Sequence, residues 1–346
     1  MSACWVIPLL LLLPARDEEA TRPRERHRLL FYNVENLFDT RDDPDTRDEE
    51  FTPEGNQHWT VERYKRKIRQ LSTTIVAAGE GTLPLLVGLA EVENRRVLLD
   101  LITRSVLSDG NYGLLHADSP DPRGIDVALL YRKEHFQVLK AAHLPVYLDE
   151  TTTTRDILYC KGLLQRADTL HLFVCHFPSM VNGERGSEWK RRRAAGVLRR
   201  AIDTIQQANE SAAIVIMGDL NGKVNTRAQR DLRVTYPDDR PIDPATLYYT
   251  TDRPRGATRG SYRFRGQWQT IDHVIVSGAL LNGGHAWQAA PRAGLFMDDF
   301  LLEEDKPRYG KRPLPTYRGP VYMGGCSDHL PIYLDIFPVP EEQEQR

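Results

Sequence analysis

From Arg28 onward, short apolar runs alternate with segments whose apolar residues recur at helical spacing. Eight runs rich in Val, Ile, Leu and aromatic residues predict strands at 29–34, 83–90, 125–131, 157–160, 170–176, 213–218, 271–276 and 330–336. Helical periodicity predicts helices at 61–78, 95–107 and 187–207. In the last of these, Ala194, Val197, Leu198, Ala201, Ile202 and Ile205 share one face, and Ser187 is placed to cap the start. Two stretches rich in Pro, Gly and charge, 40–60 and 278–325, lack periodicity and are expected to be long loops or insertions. The alternation predicts a mixed α/β domain without internal repeats.

Composition narrows the class. The chain has 346 residues, 46 basic against 48 acidic, for a formal charge of −2, and is 40% hydrophobic. That apolar fraction excludes disorder, and the balance gives no support to a strongly basic nucleic-acid-binding surface. We expect one large domain over 28–338, preceded by a leader and charged linker over 1–27 and followed by an acidic tail over 339–346. The apolar run from Cys4 to Ala15 has 12 residues. As a helix it would reach about 18 Å, short of the roughly 30 Å of a hydrocarbon core. It resembles the apolar stretch of a secretory signal, although no Lys or Arg precedes it, so the expectation is export, with a cytoplasmic tail as the alternative. Cys4, Cys160, Cys175 and Cys326 are too dispersed for a C-x-x-C metal pattern, and Cys160 and Cys175 are expected to be plain buried residues, with pairing between them left open. The basic runs Lys190-Arg191-Arg192-Arg193 with Arg199-Arg200, and Lys65-Arg66-Lys67 with Arg69, are expected to form solvated helix faces.

The polar residues are placed informatively. Asn33-Val34-Glu35-Asn36, Glu91-Val92-Glu93-Asn94, His176, Asp219-Leu220-Asn221, Asp272-His273 and Ser327-Asp328-His329 each lie where a strand starts or stops. Singly, each has a plainer reading: an Asp-Leu-Asn after a strand is commonly a turn or cap, and a lone His is commonly structural. Jointly, six strand ends carrying carboxylates, amides and imidazoles, with almost no thiols, point to a hard divalent cation at a common rim.

In this order the motifs FYNVEN, GLAEVEN, CHFPS, MGDLN, TIDHV and SDHLP resemble the endonuclease/exonuclease/phosphatase superfamily. Its members include deoxyribonuclease I, abasic-site endonucleases, neutral sphingomyelinases and inositol polyphosphate 5-phosphatases. The FYNVENLFD opening and GGCSDHLPIY ending look most like bacterial members. The resemblance implies a four-layer α/β sandwich of two mixed sheets flanked by helices, and metal-assisted hydrolysis of a phosphate ester by in-line attack of water. It implies Mg²⁺ or Mn²⁺ as cofactor, with Glu91 as ligand, Glu35 and Asn33 in or beside its shell, and Asp328 supporting the same or a second ion. His329 would face the phosphate, with Asp272 holding its tautomer; Asp219 would orient or deprotonate water and Asn221 would donate to a phosphate oxygen. His176 corresponds to a histidine that deoxyribonuclease I, sphingomyelinases and 5-phosphatases possess and abasic-site endonucleases do not, which lowers the abasic-repair reading. Arg123 and Asp126 occupy a position that often contacts the scissile phosphate; for Asp126 the plainer reading is a half-buried strand residue paired with an Arg.

The leading expectation is therefore a monomeric metal-dependent phosphodiesterase or endonuclease on a phosphoester substrate, with nucleic acid among the candidates. The alternatives are a phosphatase or sphingomyelinase-like enzyme on a small or lipid phosphoester, and a non-catalytic binding protein.

Overall fold

A computed structural model describes residues 25–340, except 151, 166–167, 182, 225, 238–240 and 254–257. The apolar leader and the last six residues lie outside the described residues. Among the described residues no helix is long and apolar enough to cross a membrane.

Two seven-stranded sheets form the centre. In the first, the order is Trp287–Ala289, Ile332–Pro338, His27–Leu37, Leu86–Val92, Asp126–Arg132, Tyr112–Leu115, with Gly294–Leu295 also pairing on Ile332–Pro338. In the second it is Phe136–Leu144, Ile157–Leu164, Asp168–His176, Ala213–Asp219, Asp272–Ser277, Leu247–Tyr249, Val234–Thr235. Each sheet is mixed, with a parallel pair at its centre, His27–Leu37 on Leu86–Val92 and Asp168–His176 on Ala213–Asp219.

Strand alternation explains why the sheets stack. Leu29 and Phe31 enter one apolar cluster together with Val215 and Met217 of the opposite sheet, whereas Leu30 and Tyr32 enter a cluster on the outer face. Ile214 and Ile216 likewise turn to the other outer face. With a period of two, each central strand buries both faces. The sheets approach so closely that a Cβ on Gly88 would lie 2.5 Å from Met217 Sδ. Helices α1 (Val61–Ala78) and α2 (Arg95–Thr103) cover the first sheet, and α3 (Glu184–Ala208) covers the second. The result is the expected four-layer α/β sandwich.

All eight predicted strands and three predicted helices are present; α1 has the predicted ends, and the other elements are shifted at one end or both. α2 stops at Thr103, and Asn94 caps it by accepting from Arg96 N and Val97 N. Ser187 does not cap α3, which begins three residues earlier at Glu184 after Gly183 (φ 92°). The Ser187 hydroxyl instead donates to Gly183 O at 2.8 Å inside the first turn. The strands Tyr112–Leu115 and Phe136–Leu144 lacked an apolar run long enough to predict them. The 278–325 stretch is no bare loop: it holds a short helix, Gly278–Leu281, and strands in both the first sheet and small hairpins. The 40–60 stretch packs Phe51 and Trp59 into the core under α1.

The expectation about charge is corrected, and the one about sulfur holds. The basic runs are not uniformly solvated: Arg191 and Lys67 are fully buried and Arg199 is nearly so. Arg191 spends its guanidinium on Pro178 O, Ser179 O, Glu184 O and Ser187 Oγ, fastening the loop that leads into α3. Cys160 and Cys175 are both buried and free, on opposite faces of the second sheet, so the open question of their pairing closes against a disulfide.

Candidate active site

The rim at one end of the two sheets gathers the polar residues. In the second sheet, His176 is the register partner of Asp219, and Asp219 is the partner of Asp272, so three functional groups stand side by side on adjacent strands. The first sheet contributes through irregularity. Pairing between His27–Leu37 and Leu86–Val92 slips after Asn33, and pairing between Leu86–Val92 and Asp126–Arg132 slips at Glu91. Bulges re-aim side chains at strand ends. Glu35 (φ 48°), Glu91 (φ 64°) and Asn221 (φ 46°) adopt left-handed backbone that non-glycine residues seldom occupy, and such strain concentrates at functional sites.

These side chains form one network. Asn33 Nδ2 donates to Glu91 Oε1 and to Asp219 Oδ2, each at 3.2 Å, joining the sheets. His176 Nε2 lies 3.7 Å from the same two oxygens. His329 Nδ1 meets Asp272 Oδ2 at 2.8 Å, while His329 Nε2 stands 3.9 Å from Asp219 Oδ2 and 4.0 Å from Asp328 Oδ1. The loop bearing His329 is tied down by Ser327, whose Oγ donates to Asn33 O at 2.7 Å and accepts from His329 N at 3.0 Å.

Electrostatics divide the two histidines. Burial disfavours charge on both. At His329 the carboxylates of Asp272, Asp328 and Asp219 outweigh it and hold the imidazolium well above its ordinary range. At His176, burial is reinforced by Arg155, Arg123 and His329, so the ring is held neutral. Burial, followed by the neighbouring Asp272, pushes the Asp219 carboxyl up to about 8.

A cleft of about 790 Å³ opens above this network, lined by Glu91, Arg123, His176, Asp219, Asn221, Asp328 and His329 among others. Asn33 and Asp272 stand behind that lining and orient it. Two expected residues lie elsewhere. Both carboxylate oxygens of Glu35 accept from backbone, Oε2 from Thr316 N at 2.8 Å and Oε1 from Tyr317 N at 3.2 Å. Lys67 Nζ donates to Glu35 O and Thr316 Oγ1, so Glu35 splints the bulged strand to the 316–317 segment. Asp126 is buried outside the cleft lining; Ser119 N donates to its Oδ1 at 2.9 Å, and the side chain beside it is His116, with Nε2 3.4 Å from Oδ2, not an arginine. Asn221 also departs from expectation, because its Nδ2 donates to Phe177 O at 3.0 Å and Asp219 Oδ2 at 3.1 Å, bracing Asp219.

Sequence reasoning missed the hairpin Tyr262–Phe264 with Gln267–Gln269, which forms one wall of the cleft. Tyr262 bridges to His329, with ring centroids 4.8 Å apart. A signal was there: aromatic residues alternate on either side of Arg265-Gly266, whose two positive φ values fit a type I′ turn.

The donor set suits a hard cation. Glu91, Asp219 and Asp328 crowd carboxylate charge into one space, and oxygen donors of this kind match Mg²⁺ or Mn²⁺ better than softer ions. The tight group Asp219, Asp272 and His329 is chemically different, since His329 Nδ1 is already taken up by Asp272 Oδ2; it fits proton transfer better than ligation.

A two-sheet sandwich with this rim defines a metal-dependent phosphoesterase. The chain belongs to the Endonuclease/Exonuclease/phosphatase family, whose sequence pattern matches residues 28–337. Among solved structures, it is similar to an endonuclease/exonuclease/phosphatase family protein from Bacteroides thetaiotaomicron, at 14% identity and a TM-score of 0.57, over 92% of this chain and 100% of that one. It also resembles a mannosyl-6-phosphatase of the same organism, at 14% identity and a TM-score of 0.56, over 90% and 99% of the two chains. The human Nocturnin catalytic domain with bound sulfate matches at 16% identity and a TM-score of 0.54, over 92% and 97%. At these identities the likeness concerns the fold. No curated protein matches the sequence.

Proposed function

We propose that the protein is a Mg²⁺- or Mn²⁺-dependent phosphodiesterase, acting as a monomer, that cleaves its substrate by in-line attack of water, with endonucleolytic cleavage of nucleic acid as the leading activity. The observation that carries this reading is the juxtaposition of a charged His329, backed by Asp272, with the proton-accepting Asp219 at 3.9 Å.

Glu91 and Asp328 would hold the ion, with Asp219 at its edge and Asn33 spacing Glu91 from Asp219. When bound, the dication supplies charge that offsets the negative charge developing on the phosphoryl oxygens. Asp219 accepts the proton of the attacking water, and a carboxyl near neutrality is well matched to that task. Asn221 fixes Asp219 in place. His329 donates from Nε2 to a phosphoryl oxygen, and Asp272 accepts from Nδ1 and stabilises the imidazolium that carries the Nε2 proton. Neutral His176 serves as a further donor to the phosphate or leaving oxygen. Arg123, with 48% of its side chain exposed at the cleft, pairs with a substrate phosphate.

A lipid or small phosphoester is the second reading, favoured by Phe264, which stands 48% exposed on the hairpin beside the cleft. The purified protein should be assayed in millimolar Mg²⁺ or Mn²⁺ against DNA, RNA, sphingomyelin, phosphoinositides and simple diesters. The reading predicts nucleic-acid cleavage that EDTA abolishes and added salt weakens steeply. Turnover confined to lipid or small esters, with little salt dependence, would replace the nucleic-acid substrate; no hydrolysis of any diester would overturn the reading.

A further inference from the structure

A second cluster of ligand-type side chains lies outside the cleft lining, around the buried Asp126. His116 Nε2 is 3.4 Å from Asp126 Oδ2, and His116 Nδ1 is 3.9 Å from Asp118 Oδ1. One donor atom from each of the three residues lies within 4.8 Å of the other two. The His116 side chain is 2% exposed, yet its Nε2 has no hydrogen-bond partner among the described residues. The buried Ser119 Oγ and Asp156 Oδ1 are likewise unpaired there. Ser119 contacts Asp126 through its backbone N–H, and Asp156 and His143 lie close enough to Asp126 to feel its charge.

Buried polar atoms ordinarily find partners, so several orphans around one carboxylate call for a ligand. The geometry is that of a cation site. Tetrahedral coordination at bond lengths of about 2.1 Å puts neighbouring donors about 3.4 Å apart, the spacing of His116 Nε2 and Asp126 Oδ2. The N–H of Ser119 holds Asp126 Oδ1 and leaves Oδ2 free, the outer support that ligating carboxylates commonly have. Asp118, 87% exposed, offers its carboxylate from the solvent side, within 4.8 Å of the other two donors.

We propose that His116, Asp118 and Asp126 form a second metal site, separate from the catalytic centre, that takes a transition-metal dication such as Zn²⁺. One imidazole with carboxylates selects a borderline ion, whereas the catalytic centre offers chiefly oxygens and suits Mg²⁺. The ion ties the start of the 116–126 segment to its end. Arg123 projects from that segment into the cleft, so the metal fixes the reach of a cleft arginine.

The test is titration of the metal-stripped full chain with Co²⁺ in excess Mg²⁺, read by the visible absorption of four- or five-coordinate Co²⁺. One equivalent should develop the bands. Asp118→Asn, which alters an exposed side chain and spares the fold, should weaken the affinity at least tenfold. His116→Gln should abolish the bands, and Glu91→Gln should leave them intact. Absence of bands at one equivalent, an unchanged affinity in Asp118→Asn together with bands in His116→Gln, or loss of the bands in Glu91→Gln would each overturn the site.

Discussion

Replacing Asp272 with Asn keeps the size of the side chain and removes the charge that faces His329 Nδ1 at 2.8 Å. With that carboxylate gone, burial weighs more heavily on the ring, and the imidazolium should titrate at lower pH. Asp272→Asn is expected to lower kcat by about 10²- to 10⁴-fold, the range for loss of a general acid–base contribution, with little change in KM. Histidine proton resonances followed against pH check the shift directly; an unmoved His329 titration would contradict the pairing. Glu93 offers a second test at this scale. Burial pushes its carboxyl up from 4.5 to about 8, against the backbone N–H of Asp39, which donates to it. Because the folded value lies above the unfolded one, the stability it contributes is full below pH 4.5 and is lost as pH rises to about 8. In EDTA, Glu93→Gln should therefore flatten the decline of denaturant stability across that window and be the more stable form at its alkaline end. A curve parallel to that of the wild type would show that Glu93 is ionised in the folded state.

At the scale of elements, the site depends on how tightly neighbouring strands approach. A Cβ at Gly218 would lie 2.3 Å from Cys175 O on the adjacent strand, and that atom is backbone and cannot swing aside. Gly218 precedes Asp219 and pairs beside His176. Gly218→Ala should cost about 1–3 kcal/mol in chemical denaturation and also lower activity; full stability and activity would show that the strands can part. Arg191→Lys should cost about 1.5–3 kcal/mol, since an ammonium cannot reproduce the fork of bonds to the 178–184 loop. Equal melting of the two proteins would count against that role. These elements also show what sequence alone could disclose. Central strands were legible because burial on both faces makes them continuous apolar runs, and the six strand-end motifs were legible because their residue types are chemically distinctive. Phe136–Leu144 was not, since on this edge strand only Phe136 is buried and Gln137, Leu139, Lys140 and Ala141 are exposed. Arg191 was misjudged because its four-residue basic run says nothing of which carbonyls await it. Glu35 was misplaced for a related reason: its two amide donors lie some 280 positions away, on a stretch without periodicity.

For the whole molecule, three apolar clusters carry the sandwich, one between the sheets and one under each helical layer. On the proposed mechanism the cation serves chemistry, and the apolar clusters are expected to hold the fold without it. EDTA should abolish turnover while leaving the far-ultraviolet circular dichroism unchanged. Added Mg²⁺ should raise Tm, because an ion that binds only the folded state stabilises it by mass action and here also relieves crowding among Glu91, Asp219 and Asp328; a Tm indifferent to saturating Mg²⁺ and Mn²⁺ would argue against a hard-cation site. The near-neutral total of −2 hides this concentration of acid at one rim, so net charge is a poor guide to the partner. The most direct measurement is steady-state hydrolysis of bis(4-nitrophenyl) phosphate by wild-type protein, Asp219→Asn and His329→Ala, each with Mg²⁺ or Mn²⁺ and each with EDTA. The proposed mechanism requires metal-dependent turnover by the wild type and a loss of at least about 10²-fold in kcat for each variant, with folding intact. Turnover that survives EDTA, or that both variants retain at the wild-type rate, would contradict it.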